Sequence, residues 1–203
     1  MKQIKRRALL AAVLALAVLA GLGATSASAA PAANATDKAF VSEMPMHHEM
    51  AIEMARMAID QAEHGQIKST ARAIVKAQSE EIVQLKKIAR SLGVKPVSTG
   101  DHMAMMEGLD TLGLTMKQAG MDMEMGDLDG AKPFDREFID MMIPHHQGAI
   151  RMARVELKRG ADGQLRSLAR GIVRAQAKEI REMNTWRTEW YGAPSPAGGV
   201  PKG

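Results

Sequence analysis

There is no cysteine among the 203 residues. That excludes disulfides, thiolate metal sites and a cysteine-borne lipid anchor. Only 3% of the residues are aromatic, and no basic patch interleaved with aromatics argues for nucleic acid. No run alternates apolar and polar residues with period two, so no sheet is predicted. Gly-x-Ser-x-Gly, phosphate-loop and His-Glu-x-x-His motifs are missing, which argues against hydrolase chemistry. The Glu-x-x-His pairs of di-iron bundles are missing too. These gaps favour a binding protein over an enzyme.

At the amino terminus Lys2, Lys5, Arg6 and Arg7 precede an apolar run from Ala8 to about Leu22, followed by Ala27, Ser28 and Ala29. This is the layout of a secretory signal peptide over residues 1–29. The run is too short and alanine-rich to span a membrane, and no other segment reads as a span. The mature chain is expected in the periplasm or outside the cell. The formal charge of +4 belongs to the leader, since 23 basic residues then remain against 23 acidic ones.

Methionine is in excess, with 17 in the chain, most of them near histidines or in residues 103–125. Thioether sulfur and imidazole bind soft metal ions, above all Cu(I), where a thiol would be vulnerable to oxidation. The chain also repeats itself without a gap at an offset of 98 positions. Phe40, His47, His48, Ala51, Ile52, Met54, Ala55 and Arg56 recur as Phe138, His145, His146, Ala149, Ile150, Met152, Ala153 and Arg154. Gln78 and Glu81 recur as Gln176 and Glu179. The chain reads as a duplication.

Residues 30–36 read as a flexible lead, with Thr36 or Asp37 capping the first helix. Residues 37–93 form a first helical hairpin repeat, with Gly65 as the stop of its first helix. Residues 94–132 are a Met-rich linker with one short helix around Leu112–Ala119. Residues 133–191 form the second hairpin repeat, and 192–203 a Pro- and Gly-rich disordered tail. A lone hairpin cannot bury its apolar face. Two of them predict an all-α, ferritin-like four-helix bundle with a long crossover and a pseudo-two-fold axis.

Helical spacing puts His47, Met50, Met54 and Met57 on one face of the first helix, with His48 on the neighbouring stripe. In the second copy His145 shares its face with Met152, and Met141 and Met142 lie one turn before the His145–His146 pair. The hairpin register sets Glu179 and Met183 opposite His145, with Gln176 a turn away, and sets Glu81, Gln78 and Leu85 opposite His47. Imidazole and thioether converging across two helices make a metal site, with Glu orienting the ring. A Met stripe at helical spacing is ordinarily core filling, and that reading stays open for Met54 and Met152. Two adjacent histidines are poor core formers. His64, read at a helix C-terminus, is explained by the helix dipole. The candidate metal ligands are therefore His47, His48, Met50, Met54, His145, His146, Met142, Met152 and Met183, with His102 and Met103 in the linker for looser Cu(I) or Ag(I) capture. A short linker helix docking its methionines on the bundle is the competing reading.

The second copy, Phe138-x3-Met142-Ile143-Pro144-His145-His146-Gln147-Gly148-Ala149-Ile150-x-Met152-Ala153, followed by Gln176, Glu179, Met183 and Trp186, resembles the bacterial family known as domain of unknown function 305. The resemblance implies a ferritin-like helical bundle, an exported location and copper binding associated with copper tolerance. The first copy departs from the pattern: Pro45 stands one residue early and Ile88 replaces the equivalent of Trp186. Pro144 is expected either to start a helix or to kink one. The leading expectation is an exported copper-binding protein that sequesters or delivers copper, with metal ions and a copper-delivery protein as partners. The alternatives are a metal-dependent oxidase, a di-iron ferritin-like enzyme, or a structural helical interaction domain.

Overall fold

A computed structural model describes residues 32–202; the predicted signal peptide, 1–29, and the start of the lead lie outside the described residues. Five helices follow in order: α1 (Ala35–Gln61), α2 (Gly65–Ser91), α3 (His102–Leu112), α4 (Phe134–Arg159) and α5 (Gly163–Tyr191). A 3-10 turn spans Met125–Asp127. There is no strand among the described residues, as the all-α expectation has it.

α1 pairs with α2 and α4 with α5 as two hairpins, and α1 packs on α4 between them. α2 and α5 scarcely meet. α3 lies against the outer side of α1, so α1 is enclosed by three neighbours and every residue from Glu43 to His48 is buried. Phe40, Met44 and Met54 of α1 and Phe138, Ile139 and Met142 of α4 are among the large side chains that fill the core. Burying such groups stabilises the fold by about 1.5–3 kcal/mol each.

Local chemistry sets the ends differently from expectation in three places. Asn34 caps α1, not Thr36 or Asp37: its side chain accepts from the backbone N–H groups of Thr36 and Asp37, and the Asp37 carboxylate accepts from Asn34 N–H. This reciprocal box satisfies three donors at once. Gly65 opens α2 and does not stop α1, because the chain turns through an extended Ala62 that needs no left-handed residue. His64 therefore caps the N-terminus of α2 and does not sit at a helix C-terminus. Pro144 lies inside α4, and the helix continues past it.

The linker helix is α3, ten residues earlier than expected. Asp101 caps it by accepting from Ala104 N–H, and Gly113, at φ 71°, ends it. The tail is the other correction. Gln147 donates to the carbonyls of Ala197 and Gly199, Arg154 to those of Pro201 and Lys202, and Asn184 to that of Gly198. Ser195 is buried. Side-chain donors from α4 and α5 satisfy the tail's backbone, so it folds onto the bundle despite its composition. No helix among the described residues is long and apolar enough to cross a membrane.

Candidate metal site

The histidine pairs divide their work. Adjacent helical residues point about 100° apart, so the two rings of a pair face different neighbours. The second ring of each turns toward its own hairpin: His48 Nε2 donates to Glu81 at 2.8 Å and His146 Nε2 to Glu179 at 2.7 Å. Register thus predicted the right glutamates with the wrong histidine of each pair. The Nδ1 atoms of both rings are buried without a partner in the protein.

The first rings meet each other. His47 and His145 stack at 3.8 Å between centroids, 20° from parallel. His47 Nε2 donates to the Ala119 carbonyl at 2.9 Å. His145 has Nδ1 2.8 Å from the Gly120 carbonyl and Nε2 2.9 Å from the His47 carbonyl. Burial pulls His145 down to about 4, and burial with the neighbouring His145 holds His47 well below the ordinary histidine range. Both rings are neutral at pH 7. A neutral ring has one N–H, so His145 donates to one carbonyl at a time.

Among the described residues, no three His, Asp or Glu side chains converge on a point that could hold a metal ion. The sulfurs do gather. Between α1, α3 and the crossover lies a cavity of about 270 Å³ lined by Met46, Met50, Met105, Met116, Met121 and Met125, with His102, Glu49 and Glu53. Met46 and Met50 stand one turn apart on α1, while His102 and Met105 stand one turn apart on α3. Met46, Met105 and Met121 are buried; Met50, Met116 and Met125 are half-buried; His102 is exposed. Such a set fits a soft monovalent cation and poorly suits a hard one.

Of the predicted ligands, Met50 and His102 line this cavity. Met103 is 82% exposed and does not. Met54, Met142, Met152 and Met183 are fully buried in the apolar core, the gap-filling role that methionine serves well. No histidine of the two pairs lines the cavity. Met46, Met105, Met116, Met121 and Met125 were not among the predicted ligands. Met46 could have been found from its one-turn spacing to Met50, whereas Met116 and Met121 are brought in only by the path of the crossover.

A family model described as domain of unknown function (DUF305) matches residues 37–194. CopM in its Cu(I)-bound form is similar at 34% identity over 77% of this chain and 98% of its own, with a TM-score of 0.64. CopM is also solved in apo, Cu(II)-bound and Ag-bound forms. A DUF305 protein from Streptomyces coelicolor, named as a secreted protein, is similar at 26% identity over 79% of this chain and 96% of its own, with a TM-score of 0.66. An uncharacterized protein of Acanthamoeba polyphaga mimivirus is 39% identical over 51 residues, 25% of this chain. The match spans about a third of that relative's length, 34%.

Proposed function

The chain belongs to the family described as domain of unknown function (DUF305), and from that premise we propose that it is an exported protein that binds Cu(I) as cargo, sequestering it or delivering it to a partner protein. The observation that carries this reading is the cavity of six methionines and one histidine. Thioether and imidazole are the neutral donors that Cu(I) prefers, and Glu53 lends negative charge that draws cations in, while Glu49 is paired with Lys86 at 2.8 Å. Likeness to CopM, solved with Cu(I), Cu(II) and Ag, supports the same metal class.

His102 and Met50 are the proposed ligands nearest the exposed edge, with the buried Met46, Met105 and Met121 behind them. Because the buried sulfurs already sit in packed surroundings, little ordering entropy is lost when metal arrives. The role read from this donor set is binding. A di-iron reading would need Glu-x-x-His pairs, which the sequence lacks.

The test is a Cu(I) competition titration of the mature chain against a chromophoric chelator. Met50→Leu with Met105→Leu, which nearly conserves volume, should weaken Cu(I) binding more than tenfold, about 1.4 kcal/mol. Undiminished affinity in that double variant would remove the cavity from the reading.

A further inference from the structure

Three consecutive carbonyls of the crossover are held by the central helices. Arg151 donates to the Gln118 carbonyl at 3.0 Å, His47 to that of Ala119 at 2.9 Å, and His145 lies 2.8 Å from that of Gly120. The loop these carbonyls belong to carries two of the cavity's sulfurs. Met121 N–H donates to the Met116 carbonyl at 3.0 Å, closing the loop on itself.

The fit is close from the other side as well. A Cβ on Gly148 would overlap the Ala119 carbonyl, and one on Gly120 would overlap the Pro144 carbonyl. Gly120 also has φ 65°, a left-handed conformation that glycine adopts without cost. The loop therefore sits directly on α4 at the level of the stacked imidazoles, with Ala119 and Met121 buried.

We infer that His47 and His145 are positioning residues of the methionine cavity, fixing the Ala119–Gly120 backbone so that Met116 and Met121 present their sulfurs to a soft cation, and that neither ring is a ligand. This rests on the reading of the cavity as a Cu(I) site. Imidazole suits the task because an uncharged donor can be buried beside a carbonyl at little electrostatic cost, whereas a buried lysine or arginine would need a counter-charge. The duplication supplied one such ring from each repeat, and the two stack where the repeats meet.

The experiment compares the full mature chain with His47→Leu, His145→Leu, His47→Gln and Gly148→Ala. Three quantities are read: Cu(I) affinity by chelator competition, the first coordination shell by X-ray absorption, and amide exchange of residues 119–121 without metal. His47→Leu and His145→Leu should speed exchange in the loop and weaken Cu(I) about 10–100-fold, the scale on which groups that orient ligands act, while the copper shell keeps its nitrogen and sulfur count. His47→Gln retains an N–H donor and should recover part of the affinity. Gly148→Ala, which leaves both rings in place, should give the same loss by displacing Ala119. Loss of a nitrogen from the shell in either Leu variant would make the rings ligands and overturn the inference. So would unchanged affinity beside a loosened loop, or an undisturbed loop. A wild-type chain that takes up no Cu(I) would instead fell the underlying reading.

Discussion

Asp37 and Asp135 stand 98 positions apart, and each holds the interhelical turn of the other's repeat. The Asp37 carboxylate accepts from the N–H groups of Ala161 and Asp162 at 2.8–3.0 Å; the Asp135 carboxylate accepts from those of Glu63 and His64 at 2.9 and 2.8 Å. Both are buried. Burial pushes the Asp37 carboxyl up, but the N–H groups of Asn34, Asp162 and Ala161 outweigh it and hold it below the ordinary range. Asp135 also accepts from His64 Nδ1 at 2.6 Å, and the His64 ring stacks on Trp190 at 3.7 Å. The two hairpins are thus interlocked at both ends by exchanged caps.

Removing either cap leaves two backbone N–H donors of the opposite turn without an acceptor, and a third donor with them: Asn34 N–H for Asp37 and His64 Nδ1 for Asp135. An unsatisfied buried donor costs about 1–3 kcal/mol, so Asp37→Ala and Asp135→Ala should each lower unfolding free energy by about 2–4 kcal/mol in urea titrations. Unchanged midpoints would show that these carboxylates are idle. Cu(I) stoichiometry should stay the same in whichever variant remains folded.

Metal preference follows from the donor set. Sulfur and a single imidazole favour Cu(I) and Ag(I) over Zn(II) or Mg(II). Replacing Met46 and Met121 together with Leu should weaken Cu(I) and Ag(I) in parallel, more than tenfold each, and leave any weak Zn(II) uptake untouched. Isothermal titration with each ion decides it, and a variant that lost Zn(II) equally would point to carboxylate ligands instead.

Much of this was legible in the chain. The second hairpin repeat was expected to end at residue 191, and α5, Gly163–Tyr191, ends there, because apolar periodicity and the turn glycine speak locally. The count back from that turn found Glu179 but assigned it to His145, since hairpin register fixes the level along a helix and not which of two adjacent rings rotates toward the partner. The Asp37–Asp162 contact joins residues 125 apart and has no local signal, although the aspartate does recur at the repeat offset. The cavity was harder still. Its sulfurs come from α1, α3 and the crossover, and only the fold-back of residues 116–125 over α1 brings them together.

The stability of the metal-free chain should fall on both sides of a plateau. His47 and His145 are held neutral in the folded state, while an unfolded histidine takes up its proton near 6.5. Their contribution is present above about pH 6.5 and is lost on acidification, at about 1.4 kcal/mol per pH unit for each ring. Glu43 and Glu156 go the other way. Burial first, then the charges of Asp101 and Asp37 respectively, push each up to about 8. Their contribution is present below about 4.5 and is lost as pH rises toward 8. Between pH 4.5 and 6.5 the two pairs oppose each other. Melting temperature should therefore drop from pH 6.5 to 8, and Glu43→Gln with Glu156→Gln should remove that drop; a drop that persists in the double variant would locate it elsewhere.

The tail should contribute to the fold. Deleting residues 193–203 leaves the side-chain donors of Gln147, Arg154 and Asn184 without their protein acceptors. A lower melting temperature is expected by calorimetry, about 2–4 °C for each kcal/mol lost in a chain of this size. Cu(I) affinity should be spared because the tail lies on α4 and α5, away from the cavity. A deletion that melts like the full chain would mean the tail is only laid on the surface.

Met103 and Met106 separate a built site from mere abundance of sulfur. They are 82% and 51% exposed on α3, while His102 and Met105 of the same helix turn into the cavity. An exposed thioether has no packed neighbours to fix its rotamer, so ordering it around a metal ion consumes the binding energy that the cavity's buried sulfurs retain. Met103→Leu with Met106→Leu should leave the tightest Cu(I) affinity within about twofold, below about 0.4 kcal/mol, and remove only weak uptake seen at excess metal. Met105→Leu, which lies between them in sequence but turns into the cavity, should cost more than tenfold. If the exposed pair matters as much as Met105 does, copper is held by methionine density along the crossover and not by the cavity's geometry.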